Sequence, residues 1–213
     1  MASLRLHGVK KVLCLGAHSD DIEIGCGATV LRLIQEQPGL ELYWLVFSAV
    51  GARAREAKAS AVDFLRDARA RRIRTMTYRE SYFPDEWSGI KDTFEQVKRS
   101  FAPDLVLTQY RNDRHQDHRV LSDLAWNTFR NHLVLEYEIP KYDGDLGSPN
   151  VYIPVSRALG ERKIRALLRH FQSQTNRHWF TADTFWALMR LRGIECASAT
   201  GFAEAFYGRK LSF

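Results

Sequence analysis

Short apolar runs alternate with segments of helical periodicity along most of this 213-residue chain. The runs predict strands at residues 11–16, 41–47, 73–78, 104–109, 133–138 and 151–155, and the 3.6-residue spacing predicts helices at 24–36, 53–69, 88–101 and 117–130. Arg157 to His170 and His178 to Arg192 read as two further amphipathic helices, the second ending at Gly193. Strand and helix in turn predict parallel βαβ units with right-handed crossovers. The expected fold is α/β: a Rossmann-like, largely parallel twisted sheet flanked by helices, in a single domain over 1–213.

Two polar clusters interrupt this pattern, each directly after an apolar run and before a helix. Ala17-His18-Ser19-Asp20-Asp21 follows the first strand, and His115-Gln116-Asp117-His118 follows the fourth. Both fall at the carboxyl ends of predicted strands, the edge where open α/β sheets bind ligands. The turn-rich stretch from Pro140 to Pro149, with Gly144 and Gly147, is a loop that could border the same edge.

The residue types in these clusters suit a single-metal hydrolase. His18, Asp21 and His118 can supply two imidazoles and a carboxylate to one divalent ion, the open three-ligand set of catalytic zinc, and ferrous iron accepts the same donors. Metal-bound water ionises near pH 7. Neighbouring side chains in an extended loop diverge, so Asp21 can face the metal while Asp20 faces the water as general base. His115, three residues before His118, can share its face and as imidazolium stabilise an oxyanion or protonate a leaving amine, and Asp117 can fix the tautomer of an imidazole.

Composition narrows the setting. No apolar run is long enough to span a bilayer, and residues 1–7 lack the apolar core of a leader, so the expectation is a soluble cytoplasmic protein. Cys14, Cys26 and Cys196 form no C-x-x-C pair and read as core residues. The formal charge is +6, with Arg66, Arg69, Arg71, Arg72 and Arg74 crowded together. That stretch reads as a solvated helix face followed by an edge strand, with an anionic substrate as the functional alternative. Nucleic-acid-binding signatures are missing. Most of the five tryptophans suit the core; a homo-oligomer contact or a sugar-stacking platform is the alternative, and Trp87 looks loop-borne.

The chain resembles the LmbE/PIG-L-like family of zinc-dependent N-deacetylases, whose motifs run A-H-P-D-D before a glycine-rich helix start, and H-x-D-H. The resemblance extends to Arg53-Ala54-Arg55-Glu56-Ala57, to Lys163-Ile164-Arg165-Ala166-Leu167 with Ser173-Gln174, and to Gly201-Phe202-Ala203-Glu204-Ala205-Phe206. It implies that His18, Asp21 and His118 bind zinc, that Asp20 is the general base, that His115 stabilises the tetrahedral intermediate and that Arg53 contacts substrate. Arg55 could replace Arg53 if the register slips, and Glu204 is either a structural anchor or a site residue. Ser19 stands where the family usually has proline, and no role passes to His170. The implied reaction is deacetylation of an N-acetyl sugar on a small-molecule carrier, here nucleotide-linked or otherwise anionic. Cleavage of another acyl, ester or C–N bond is the first alternative, and a noncatalytic anion or nucleic-acid binder the second.

Overall fold

A computed structural model describes residue 6 and residues 8–211; positions 1–5 and 7, and residues 212–213, lie outside the described residues. The chain builds β1 (Lys11–Gly16), α1 (Asp21–Glu36), β2 (Glu41–Val46), α2 (Gly51–Phe64), β3 (Ala70–Thr75), α3 (Trp87–Ser100), β4 (Leu105–Gln109), α4 (Gln116–Thr128), β5 (Leu133–Tyr137), β6 (Val151–Pro154), α5 (Arg157–His170), α6 (Ala182–Glu195) and β7 (Ala203–Gly208). The strands form one seven-stranded sheet in the order β3-β2-β1-β4-β5-β7-β6. β1 to β5 pair in parallel, and β7 runs antiparallel to both β5 and β6.

Alternate residues of the central strands feed two separate apolar layers, as the two-residue strand period requires. Val12, Cys14, Leu42, Trp44, Leu105 and Leu107 pack under α1, α2, α5 and α6. Leu13, Leu15, Tyr43, Leu45 and Val106 pack under α3 and α4. The chain winds outward through β2 and β3, then returns to start β4 on the other side of β1. β1 and β4 are therefore the point where strand order reverses, and a crevice opens beyond their carboxyl ends.

The differences from the sequence reading have physical causes. β3 lies three residues earlier than expected because Ala-Arg-Arg-Ile-Arg-Thr, polar in pattern, forms an edge strand whose partly exposed faces do not demand apolar residues. β7, absent from the predicted strands, is buried throughout between β5 and β6. α6 starts at Ala182 and is not cleanly amphipathic, since Leu191 and Ile194 face solvent while Phe185 and Met189 are buried. All three cysteines are buried and free. No described helix is long and apolar enough to cross a membrane.

Candidate active site

β1 delivers its last residues straight into the first polar cluster. An added Cβ at Gly16 would stand 3.0 Å from Ile22 Cγ1 and 3.1 Å from the His18 carbonyl oxygen, so a side chain here would crowd the turn and its neighbours would have to give. Asp20 occupies the N-cap position of α1 but its carboxylate caps nothing; Asp21 instead closes the loop, accepting from the His18 backbone N–H at 2.8 Å. From the adjacent strand end, Gln109 donates to the same Asp21 Oδ2 at 3.2 Å.

β4 delivers the second cluster. His115 is the N-cap of α4, its Nδ1 accepting from the Asp117 N–H at 3.3 Å, and His118 lies one turn on. The His115 and His118 rings stack with centroids 4.8 Å apart. Three electron-pair donors then converge across the switch point. His18 Nδ1 is 3.2 Å from His118 Nε2, His118 Nε2 is 3.4 Å from Asp21 Oδ2, and His18 Nδ1 is 3.6 Å from Asp21 Oδ2. Ligand atoms bound at about 2.0–2.2 Å in a tetrahedral shell stand about 3.3–3.6 Å apart. His115 sits beside this triangle: ring nitrogens of His18, His115 and His118 lie within 4.8 Å of one another.

Carboxylates fix the tautomers. His18 Nε2 bonds Asp117 Oδ2 at 3.0 Å and His118 Nδ1 bonds Asp113 Oδ2 at 2.8 Å, so each ring commits its proton to a carboxylate and turns a lone pair inward. Two lone pairs and a carboxylate facing one another repel unless a positive charge lies among them. Accordingly, although burial works against a charged ring, Asp21 and Asp117 raise the His18 pKa to about 9. Burial pushes Asp21 up, but the two imidazoles outweigh it and hold its pKa low. The donor set and its electrostatics fit one divalent cation.

Around the triangle, the second carboxylate has a different environment. Arg53, in the first turn of α2, donates to Asp20 Oδ1 at 2.8 Å; Asp20 Oδ2 bonds no described residue. Burial raises the Asp20 pKa, Asp21 adds to it, and Arg53 opposes. Arg55 points away, towards the Gly51 carbonyl. Glu56 accepts from both the backbone and the hydroxyl of Ser173, at 2.9 and 2.6 Å, which explains why the Arg53–Glu56 stretch and the Ser173 segment belong together. His115, with Nδ1 engaged as an acceptor, carries its proton on Nε2 when neutral, and burial together with the neighbouring His118 and His18 lowers its pKa. That shift favours the neutral ring, with its N–H on Nε2, over the imidazolium.

Asp113 escaped the sequence reading, though it stands only two residues before His115. Its Oδ1 accepts from the His115 N–H at 2.8 Å, its Oδ2 holds His118, and Lys141 lies 3.0 Å away. Burial opposes ionisation, but His118 and Lys141 bring its pKa down to about 2. Ser81 is similar: at φ 68 it presents its N–H to Asp117 at 2.6 Å, and Phe83 adds a second bond at 3.2 Å. Glu204 touches no residue of the triangle. It accepts from Ala28 and Thr29 N–H at 3.0 and 2.6 Å, just past a break in α1 at Cys26, and pairs with buried Lys163, which donates to the Ile24 carbonyl. It is an anchor that mends the broken helix. Ser19 is buried, and its hydroxyl has no partner among the described residues.

The family described as PIG-L: GlcNAc-PI de-N-acetylase matches residues 13–129. A protein of Escherichia coli strain K12, named uncharacterized deacetylase YaiS, is 28% identical over 172 residues, covering 76% of this chain and 90% of that protein. Among solved structures, the N,N'-diacetylchitobiose deacetylase of Pyrococcus horikoshii superposes with a TM-score of 0.70 at 19% identity, covering 95% of this chain and 84% of that one. GalB of Pseudomonas putida KT2440, a 4-carboxy-2-hydroxymuconate hydratase, also reaches 0.70, at 16% identity and with 96% and 98% coverage. At these identities the two structures establish a shared fold, and their different reactions show that the fold alone does not choose the chemistry.

Proposed function

Since the chain belongs to the PIG-L family, described as GlcNAc-PI de-N-acetylase, we propose that it is a metal-dependent N-deacetylase acting on an N-acetyl sugar borne on a small anionic carrier. The observation that carries this reading is the triangle of His18 Nδ1, Asp21 Oδ2 and His118 Nε2, with sides of 3.2 to 3.6 Å and a carboxylate behind each imidazole. These three residues would hold the ion, with zinc the first candidate and ferrous iron the alternative. When bound, the ion supplies Lewis acidity and makes ionised water available near pH 7.

The protein's own groups divide the remaining work. Water adds to the acetyl carbonyl carbon and gives a proton to Asp20, whose Oδ2 is uncommitted while Arg53 fixes Oδ1. The new oxyanion faces a donor in the Nε2–H of His115, held in that tautomer by its cap bond. When the C–N bond breaks, Asp20 returns its proton to nitrogen and the amine leaves; the proton still on the new carboxyl group passes to solvent or to the amine, giving acetate. Asp113 and Asp117 position His118 and His18 and touch no substrate atom. Arg53, partly exposed at the mouth, contacts the substrate once it approaches Asp20.

Asp20→Asn tests the division of labour. Metal content is expected to stay at wild-type level while acetate release falls on the order of 10²- to 10⁴-fold; near-wild-type turnover would remove Asp20 from the base role. A second reading, hydrolysis or hydration at another bond, is supported by the hydratase with the same fold. In that case D20N would still depress turnover, but N-acetyl sugars would release no acetate.

A further inference from the structure

In the arginine-rich stretch near the far edge of the sheet, Arg71 donates to the Leu65 carbonyl and Arg72 to the Ser100 carbonyl. A different group of arginines borders the candidate site. The loop leaving β4 and the first turns of α4 border an open surface concavity of about 400 Å³ lined by Arg111, Asn112, Asp113, Arg114 and Arg119. One lining residue is Asp113, whose carboxylate holds His118 at 2.8 Å, so the residue that positions a member of the triangle also borders the concavity.

Three of the five lining residues are arginines, and the one carboxylate among them is already paired. Asp113 is committed to His118 and Lys141. Glu136 accepts from Trp126 Nε1 at 2.6 Å and from Arg209 Nε at 2.8 Å, and lies 3.5 Å from Arg111 Nε. The terminal nitrogens of Arg111, whose guanidinium lies 5.4 Å from the Trp126 ring centre, bond no described residue. Arg119 spends only Nη1, on the carbonyls of Asp113 and Arg114 at 2.9 and 2.6 Å. The Arg114 guanidinium has no partner among the described residues. Three arginines that keep unused N–H donors border one concavity whose single carboxylate is already paired, so a multiply charged oxyanion there would offset the excess positive charge while accepting forked bonds.

We infer that this pocket binds a phosphate group, supplied either by the carrier of the substrate or as free phosphate. The carrier source rests on the proposed deacetylase activity; phosphate binding does not. Phosphate suits the pocket better than a carboxylate because its oxygens point in several directions and can serve three separate guanidinium forks at once. The bound group would lie on the loop that carries His115 and His118, within reach of a molecule whose acetamide occupies the triangle.

The test is calorimetric titration of the zinc-loaded full chain with inorganic phosphate and with pyrophosphate, for wild type, Arg114→Glu and Arg111→Gln, with thermal melts as a check on folding. Arg119 is left intact because it braces the loop carbonyls. Saturable binding that weakens roughly tenfold or more in R114E is expected. No binding to wild type, or equal affinity in both variants, would overturn the inference; if R114E fails to fold, R111Q and Arg114→Gln carry the comparison. The source is then read from acetate release with N-acetylglucosamine and its 1-phosphate. A lower KM for the phosphate ester that disappears in R114Q identifies the carrier, whereas equal KM values with phosphate binding intact identify free phosphate. No acetate from either compound counts against the deacetylase reading and leaves the titration to decide the pocket.

Discussion

Asp113 carries more of the candidate site than its place outside both motifs suggests. One oxygen pins the His115 backbone and the other fixes the His118 ring, while Lys141 neutralises the excess charge. Replacing it with alanine leaves His118 free to rotate and to change tautomer, so zinc affinity measured by chelator competition is expected to fall about 10- to 100-fold; unchanged affinity would show that α4 alone orients the ring. The sequence offered the ligand histidines because their spacing after a strand is a pattern. It did not offer Asp113, Gln109 or Ser81, whose roles depend on what the fold brings beside them: Ser81 reaches Asp117 only because the β3–α3 loop crosses the crevice at a positive φ. From the sequence, Asp20 and Asp21 are expected to have different tasks, and the fold gives them different neighbours, Arg53 for Asp20 and the imidazoles for Asp21.

Among the elements, α1 is the most informative. Its ladder breaks at Cys26, where φ is −143, and the backbone groups released there are taken up by Glu204 from β7 and Lys163 from α5. Both side chains are 3% exposed. Glu204→Gln would leave a buried ammonium without its counter-charge, and a loss of about 3–5 kcal/mol is expected from denaturant unfolding; a loss below 1 kcal/mol would mean that the helix halves are held by apolar packing alone. β7 was illegible as a strand because its most telling residue, Glu204, is buried for the sake of another element. A second tie joins α2 to α5, where His170 Nε2 meets Asp63 Oδ2 at 3.0 Å. The His170 bond is the main cause of the lowered Asp63 pKa. A carboxylate depressed on folding stabilises above its unfolded pKa of about 3.9, and that stabilisation is lost as pH falls through the lower folded value. Asp63→Asn should therefore flatten the acid limb of the urea midpoint against pH below about pH 4 and narrow its gap to wild type there, and an unaltered limb would show the pair to be inert.

On the scale of the whole molecule, the site exists because strand order reverses between β1 and β4. Each motif ends one of these neighbouring strands, so two clusters about a hundred residues apart in sequence meet at 3.2 Å. That convergence followed from alternating strand and helix patterns and was the most legible property of the chain. The placement of its positive charge was not: Arg71, Arg72 and Arg74 of the crowded stretch sit on the edge strand β3, while Arg111, Arg114 and Arg119 border an open concavity where β4 turns into α4. One divalent ion joining His18, Asp21 and His118 is the centre of the proposed removal of an acetyl group. The most direct test is acetate release from a panel of free, phosphorylated and nucleotide-linked N-acetyl sugars by zinc-loaded protein, beside a chelated sample and His118→Ala. Release by the loaded protein that is abolished by the chelator and by H118A is the predicted result; release that persists without metal, or silence across the panel from protein that binds none, would contradict it.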